Sequence, residues 1–158
     1  MTEKTKSNIK MSKTKDNAKI AIILVRGFIG IKKGIKDTLH MLRLYKKYSC
    51  VIVNNNPSTM GMIIKCKDYI TYGEIDDQTY KSLVEKRGEQ YHGRLEDTRG
   101  KIKYNKFIEV DNKKLKPYFR LSPPKGGFER KGTKSPYTMG GVLGYRANKI
   151  NDLIKKML

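Results

Sequence analysis

Residues 19–27 read Lys19-Ile20-Ala21-Ile22-Ile23-Leu24-Val25-Arg26-Gly27, and the unbroken apolar run from Ile20 to Val25 decides the fold. A strand with one wet face alternates apolar and polar side chains. A run rich in β-branched residues with no polar interruption belongs to a strand buried on both faces. The run is about a third of the roughly 20 residues that a membrane-spanning helix needs, and no apolar signal region precedes it. It is read as a central strand that ends at Arg26-Gly27.

Working outward, a loop containing Gly27, Gly30 and Gly34 leads to apolar side chains at Ile35, Leu39, Leu42 and Tyr45, spaced four, three and three apart. That spacing predicts a helix of about three turns, whose other face carries Lys36, Arg43, Lys46 and Lys47. Cys50-Val51-Ile52-Val53 reads as a second strand. Asn54-Asn55-Asn56-Pro57 then supplies an asparagine cap with proline at the first helical position. A second helix is expected from Pro57 through Met60, Ile63 and Ile64, although Gly61 weakens it. Tyr69-Ile70-Thr71-Tyr72 is a third strand, closed by Gly73. Residues 19–74 therefore form an α+β unit with helices on one face of a three-stranded sheet. Two crossovers from the outer strands to a shared central one would make it ferredoxin-like, with an open sheet left for binding.

Residues 75–158 are expected to form a C-terminal extension. Asp76-Asp77 as cap, Tyr80, Leu83 and Val84 as apolar face, and Gly88 as stop predict a helix over 76–87. Residues 89–110 interleave charges with Tyr91, Leu95, Ile102, Tyr104 and Phe107, a pattern that fits helix or hairpin. Residues 116–147 hold four of the five prolines and six of the fourteen glycines, which excludes long helices and central strands there. An amphipathic helix over 148–158, with Ile150, Leu153, Ile154 and Met157 on one face, should dock back onto the domain. At the other end, residues 1–18 read as a disordered basic tail.

The charge of +20 is distributed unevenly. Residues 19–74 carry ten basic and three acidic side chains, residues 111–158 carry twelve and three, and residues 75–110 carry eight and seven. A lysine-rich composition alone yields solvated faces, but it does not account for a neutral middle between two basic blocks. Such blocks suit a polyanion, and nucleic acid is the leading one.

Enzyme signatures are missing: there is no GxGxxG opening a helix, no Walker loop, no His-Glu-x-x-His and no GxSxG. His40 is read as a packing residue beside the apolar face of its helix, and His92 supports no role. Cys50 and Cys66, far apart and accompanied by only two histidines, do not make a zinc site and are expected as free, buried thiols in a reducing cytoplasm. Neither a metal, a cofactor nor a small-molecule substrate is implied, and no membrane contact.

Two segments have the makings of anion sites. The glycines at 27, 30 and 34 permit a tight turn before a helix, where backbone N–H groups attract phosphate, and Arg26, Lys32 and Lys33 reinforce that reading. In the segment from Phe119 to Gly132, Pro123 and Pro124 hold the entry extended while Gly126 and Gly127 thin the backbone. Arg120, Lys125, Arg130 and Lys131 are spaced along it. A stiff, thin, cationic segment of this kind can insert between folded RNA helices, and it is expected to order on RNA. Tyr118, Tyr137 and Tyr145 are the candidates for stacking on bases.

The order of elements from Ile20 to Glu74, with Val25-Arg26-Gly27, the Asn56-Pro57 junction and Lys67-Asp68-Tyr69-Ile70-Thr71-Tyr72-Gly73-Glu74, resembles the large-subunit ribosomal protein thirty family in its longer archaeal and eukaryotic form. Phe119-Arg120-Leu121-Ser122-Pro123-Pro124-Lys125-Gly126-Gly127-Phe128, followed by Gly140-Gly141 and Gly144-Tyr145-Arg146, looks like that form's appended segment and is the more specific part. The resemblance implies a non-enzymatic component of the cytoplasmic large ribosomal subunit, held by large-subunit rRNA near the 5S rRNA and beside other ribosomal proteins. It places RNA contacts at Arg26, Lys32, Lys33 and Lys36, and at Arg120, Pro123, Pro124, Lys125, Gly126, Gly127, Arg130, Lys131, Lys134 and Arg146. Met60 departs from the pattern, since many members carry a basic residue just before the Gly-Met of the second helix. The short tail points to an archaeal member. The residues alone also leave open a free-standing RNA chaperone or regulatory RNA binder. A third reading is an acylphosphatase-like enzyme using Arg26 and an asparagine near Asn54, although the Gly-Arg-x-x-Gly-Val order expected around its arginine is absent.

Overall fold

In the computed structural model, residues 19–104, 106–110 and 112–158 are described; the expected tail at 1–18 lies outside them. The core is β1 (Lys19–Leu24), α1 (Lys33–Met41), β2 (Ser49–Asn54), α2 (Pro57–Lys65) and β3 (Ile70–Glu74). β1 is central and pairs antiparallel with both neighbours, Ile22 facing Val51 on one side and Tyr72 on the other. This corrects the expectation of two crossovers from the outer strands to a shared central one. Only β2–α2–β3 links parallel strands, and it straddles β1. The α+β, ferredoxin-like class stands.

The continuous apolar run of β1 has a direct physical cause. Alternate side chains of a strand point to opposite faces, and here both faces are buried. Ile20, Ile22 and Leu24 pack with Leu39 of α1, Ile63 of α2 and Ile70. Ala21 and Ile23 pack with Leu83, Phe119, Ile150, Leu153, Ile154 and Met157. The second set comes from α3 (Asp77–Arg87), the extension and α4 (Ile150–Met157). The sheet is therefore covered on both faces, where the sequence reading expected helices on one face and an open sheet left for binding. At burial worth about 25 cal/mol per Å² of apolar surface, an uncovered face of this composition would be strongly unfavourable in water.

The extension also lengthens the sheet. A hairpin of β4 (Ile108–Val110) and β5 (Lys113–Leu115) stands apart, while β6 (Phe119–Arg120) pairs antiparallel with β2 and β7 (Gly144–Tyr145) pairs parallel with β3. The order is β6-β2-β1-β3-β7, five strands where three were expected. Two-residue strands carry no recognisable period and so leave no signal in a sequence. The undecided region 89–110 resolves into isolated bridges, such as Glu96 with Lys103, followed by β4.

Helix α1 stops earlier than its apolar spacing suggested. Arg43 adopts φ 61° and the Leu44 N–H donates to the Leu39 carbonyl at 3.0 Å, a left-handed helix stop. The turn buries Leu44 and leaves Tyr45 51% exposed, so Tyr45 is not part of the apolar face. α2 begins at Pro57 with Asn56 at the cap position, but the asparagine side chain makes no capping hydrogen bond.

The Pro/Gly segment is hydrogen-bonded to the rest of the domain at its entry. The Ser122 and Lys125 N–H groups donate to the Met157 and Lys156 carbonyls at 3.0 and 2.9 Å, satisfying acceptors that a helix C-terminus leaves unpaired. Arg87 of α3 donates to Ser122 Oγ and to the Leu158 carbonyl, both at 2.7 Å. The loop entry, α3 and the last turn of α4 are thereby tied together.

Candidate nucleic-acid interface

The loop after β1 is anchored to the start of β3. The Val25 and Arg26 N–H groups both donate to the Tyr69 carbonyl, the Arg26 guanidinium reaches the Asp68 carbonyl at 3.3 Å, and it lies 5.0 Å above the Tyr69 ring. Gly30 takes φ 72°, which lets the chain reverse into α1. Lys32, Lys33 and Lys36 are exposed around the start of α1, whose first turn has no acidic residue. Cations and free N–H groups at a helix N-terminus give that end a positive field.

The two basic blocks of the sequence meet here. Lys134, at the end of a short turn at Gly132–Lys134, lines the same crevices as Arg26: one of about 350 Å³ shared with Lys67 and Pro136, the other of about 420 Å³ shared with Lys47 and Gly30. Four cations from four separate stretches converge, although they are far apart in the chain. Lys47 and Lys67 were missed as site residues from the sequence. Both were visible as basic positions, Lys67 within the Lys67-to-Glu74 stretch, but only the folded arrangement brings them to Arg26.

Further along the extension, Lys125, Gly126, Gly127, Arg130 and Lys131 are exposed. Gly126 and Gly127 take φ 80° and 78°, two consecutive left-handed residues that side chains other than glycine's disfavour. Phe119 and Leu121 anchor the segment in the second core face, and Phe128 packs beside it. Pro123 is exposed, whereas Pro124 is buried. Arg120 is exposed but stands apart from the crevices, 3.6 Å from Glu89, whose carboxyl is held below its usual range chiefly by a hydrogen bond from Lys116.

Arg146, an RNA contact by resemblance, is 4% exposed and turned inward. Its two terminal nitrogens donate to the two oxygens of Glu129, one at 2.9 Å, and the guanidinium lies 4.5 Å over Tyr137. Burial alone would raise the Glu129 pKa, but the Arg146 hydrogen bond and charge hold it below its ordinary value. The physical reason is that Arg146 sits between β7 and α4, where an unpaired charge would be costly, and Glu129 neutralises it. Of the stacking candidates, Tyr137 is occupied by Arg146, and Tyr145 donates its phenol to Glu74 at 2.7 Å, which pushes its pKa up to about 12. Tyr118 remains, partly buried and beside Arg120.

His40 is exposed rather than packed into the core, its ring between those of Phe28 and Tyr45 at 5.6 and 5.5 Å. Both cysteines are free and buried, and burial pushes the Cys50 thiol up to about 12. Among the described residues, no cluster of His, Cys, Asp and Glu is arranged to hold a metal, and no helix is long and apolar enough to cross a membrane. The arrangement is suited to gripping phosphates by charge and shape, with backbone amides and glycines admitting close approach.

Known proteins similar to this chain are ribosomal. The family described as Ribosomal protein L30p/L7e matches residues 20–70. The large ribosomal subunit protein uL30 of Methanopyrus kandleri is 41% identical over 149 residues, covering 85% of this chain and 100% of that protein. The proteins of the same name from Nanoarchaeum equitans and Staphylothermus marinus are 43% and 41% identical, each aligned over 87% of this chain and 97% of its own length.

Proposed function

The chain belongs to the ribosomal protein L30p/L7e family, and on that footing we propose how it serves the large ribosomal subunit: as a structural constituent that grips ribosomal RNA where its two basic blocks fold together. The observation that carries this reading is the convergence of Arg26, Lys47, Lys67 and Lys134 on two adjoining crevices. Cations fixed on a rigid β-strand end and a short turn can match the phosphate spacing of folded RNA, and binding releases the counterions condensed there. Specificity then comes from RNA shape, since side chains in this geometry meet backbone rather than base edges.

In this reading Lys32, Lys33 and Lys36 extend the grip along α1, and Lys125, Arg130 and Lys131, with Pro123 and the glycine pair at 126–127, reach into a second RNA crevice. Arg120 makes a peripheral contact. Pro124 and Arg146 shape the segment from within. In the same reading the 5S rRNA lies nearby and other subunit proteins are neighbours. The role is one of binding without catalysis, as suits a family of ribosomal proteins whose member here keeps its thiols buried.

Sucrose-gradient sedimentation of a lysate, with the protein followed by immunoblot through a high-salt wash, tests the proposal. Comigration with large subunits is expected; recovery only at the top of the gradient would overturn it. Crosslinking from Lys134 and Lys125 in purified subunits then tests the two RNA surfaces and the 5S placement separately.

A further inference from the structure

A third basic surface lies away from the crevices at Arg26 and Lys134 and shares no lining residue with them. A cavity of about 490 Å³ opens between the turn that ends α1, the segment at 91–93 and the approach to β6. That volume falls within the range of roughly 300–1,000 Å³ typical of small-ligand sites. Its wall carries the rings of Tyr45, Tyr91, His92 and Tyr118, together with the cations Arg43, Lys106 and Lys116, the last of them paired with Glu89 at 2.6 Å. Two of the rings pack against further rings, Tyr91 against Phe107 at 5.7 Å and Tyr45 against His40 at 5.5 Å. Tyr45 is 51% exposed, a large ring that the core does not use.

We propose that this cavity receives one unpaired nucleotide of the large-subunit RNA, its base stacked among the tyrosine rings and its flanking phosphates met by Lys106 and the neighbouring cations. The inference rests on the reading of the chain as an RNA-bound constituent and adds a second mode of recognition to it. The crevices at Arg26 bring three cations each to their walls with a single aromatic ring, Tyr69, between them, and suit phosphates. Here flat aromatic faces and positive charge occur together, which is the pairing that an extruded nucleotide requires, because every base has a π face while its backbone is anionic. An acidic peptide would find the charge but leave the rings unused, and an apolar side chain would leave the Lys106 ammonium facing a hydrophobic plug.

Large subunits carrying Tyr45→Ala or Tyr45→Phe, probed by 2′-hydroxyl acylation alongside the wild type, test it. Tyr45 lies outside the core, so the alanine variant keeps the fold, as a thermal melt of the free protein would show. With Tyr45→Ala, one unpaired nucleotide should gain reactivity by about fivefold or more, the effect of losing a stacking partner. Tyr45→Phe, which keeps the ring, should leave it protected. Comigration of Tyr45→Ala with the large subunit and no change at any nucleotide would overturn the pocket while leaving the ribosomal reading intact. So would a crosslink from Tyr45 to a peptide, which would put a protein in the cavity. If the wild-type protein itself failed to comigrate, both readings would fall together.

Discussion

Arg146 and Glu129 face each other in a two-pronged ion pair, the arginine 97% enclosed at its side chain and the glutamate about two-thirds so. The pair joins the loop that follows the glycine pair to the base of α4. Replacing Glu129 with Gln leaves a buried guanidinium without its counter-charge, and stability should fall by about 3 kcal/mol, read from urea or thermal unfolding. The pH dependence has a definite sign. The Glu129 carboxyl is held below its ordinary value of 4.5 in the folded chain, so its contribution is fully present above that value and disappears as pH falls through the lower folded pKa. Wild type should lose stability over that acid window more steeply than Glu129→Gln.

At Gly73 the backbone of β3 lies against the peptide of Ala147, and a Cβ there would run into the Ala147 carbonyl oxygen. The obstacle is backbone on both sides, so neither can move cheaply. Gly73→Ala should destabilise the protein by about 2–3 kcal/mol and loosen α4, seen as faster proteolysis near residues 147–150. Gly27→Ala, where a Cβ meets open space, is the matched control and should change stability little.

Cys50 and Cys66 are each fully enclosed, and burial raises both thiol pKa values. Thiolate is the reactive form, so neither should be alkylated by iodoacetamide at about pH 8 in the folded protein, and both should react at once in denaturant. Labelling of the native protein at either site would show that the core opens more readily than this packing allows.

RNA affinity should fall with salt on a log–log plot by about 0.7 to 0.9 for each phosphate neutralised. Arg26→Ala combined with Lys134→Ala should flatten that slope by roughly 1.4 to 1.8 if each cation meets one phosphate. Arg146→Lys should leave the slope unchanged, because Arg146 faces inward.

Hydrogen exchange separates two parts of the Pro/Gly segment. The amides of Lys125, Gly141 and Val142 donate to backbone carbonyls at 2.9, 3.0 and 3.0 Å and should be protected in the free protein. Those of Gly126 and Arg130 lie in exposed residues and should gain protection only on the subunit.

Much of the core was legible because its signals are local. An apolar run at 20–25, a 3.6-residue period after Ile35 and the Asn56-Pro57 junction each report on the few residues around them. What was not legible depends on partners distant in sequence. No pattern around Phe119 or Tyr145 announces strands of two residues each, since only pairing with β2 and β3 makes them strands. The same holds for the site. Arg26 and Lys134 could each be picked out as cations beside glycines, but their meeting, and the enlistment of Lys47 and Lys67, is a product of the tertiary fold. Arg146 shows the converse: a basic residue in a basic segment reads as a contact until burial and a carboxylate partner are seen. Tyr45, assigned to a helix face by spacing, was moved outward by the left-handed turn at Arg43.

The two-sided burial of β1 bears on how the chain is made. Translation delivers the three core strands with α1 and α2 well before Ile150, Leu153, Ile154 and Met157 emerge to cover Ala21 and Ile23. For that interval a nascent chain presents one greasy sheet face alongside a dense cluster of positive charge. That pairing invites both aggregation and premature capture by stray RNA, so the newborn protein has reason to be escorted until its last helix is released.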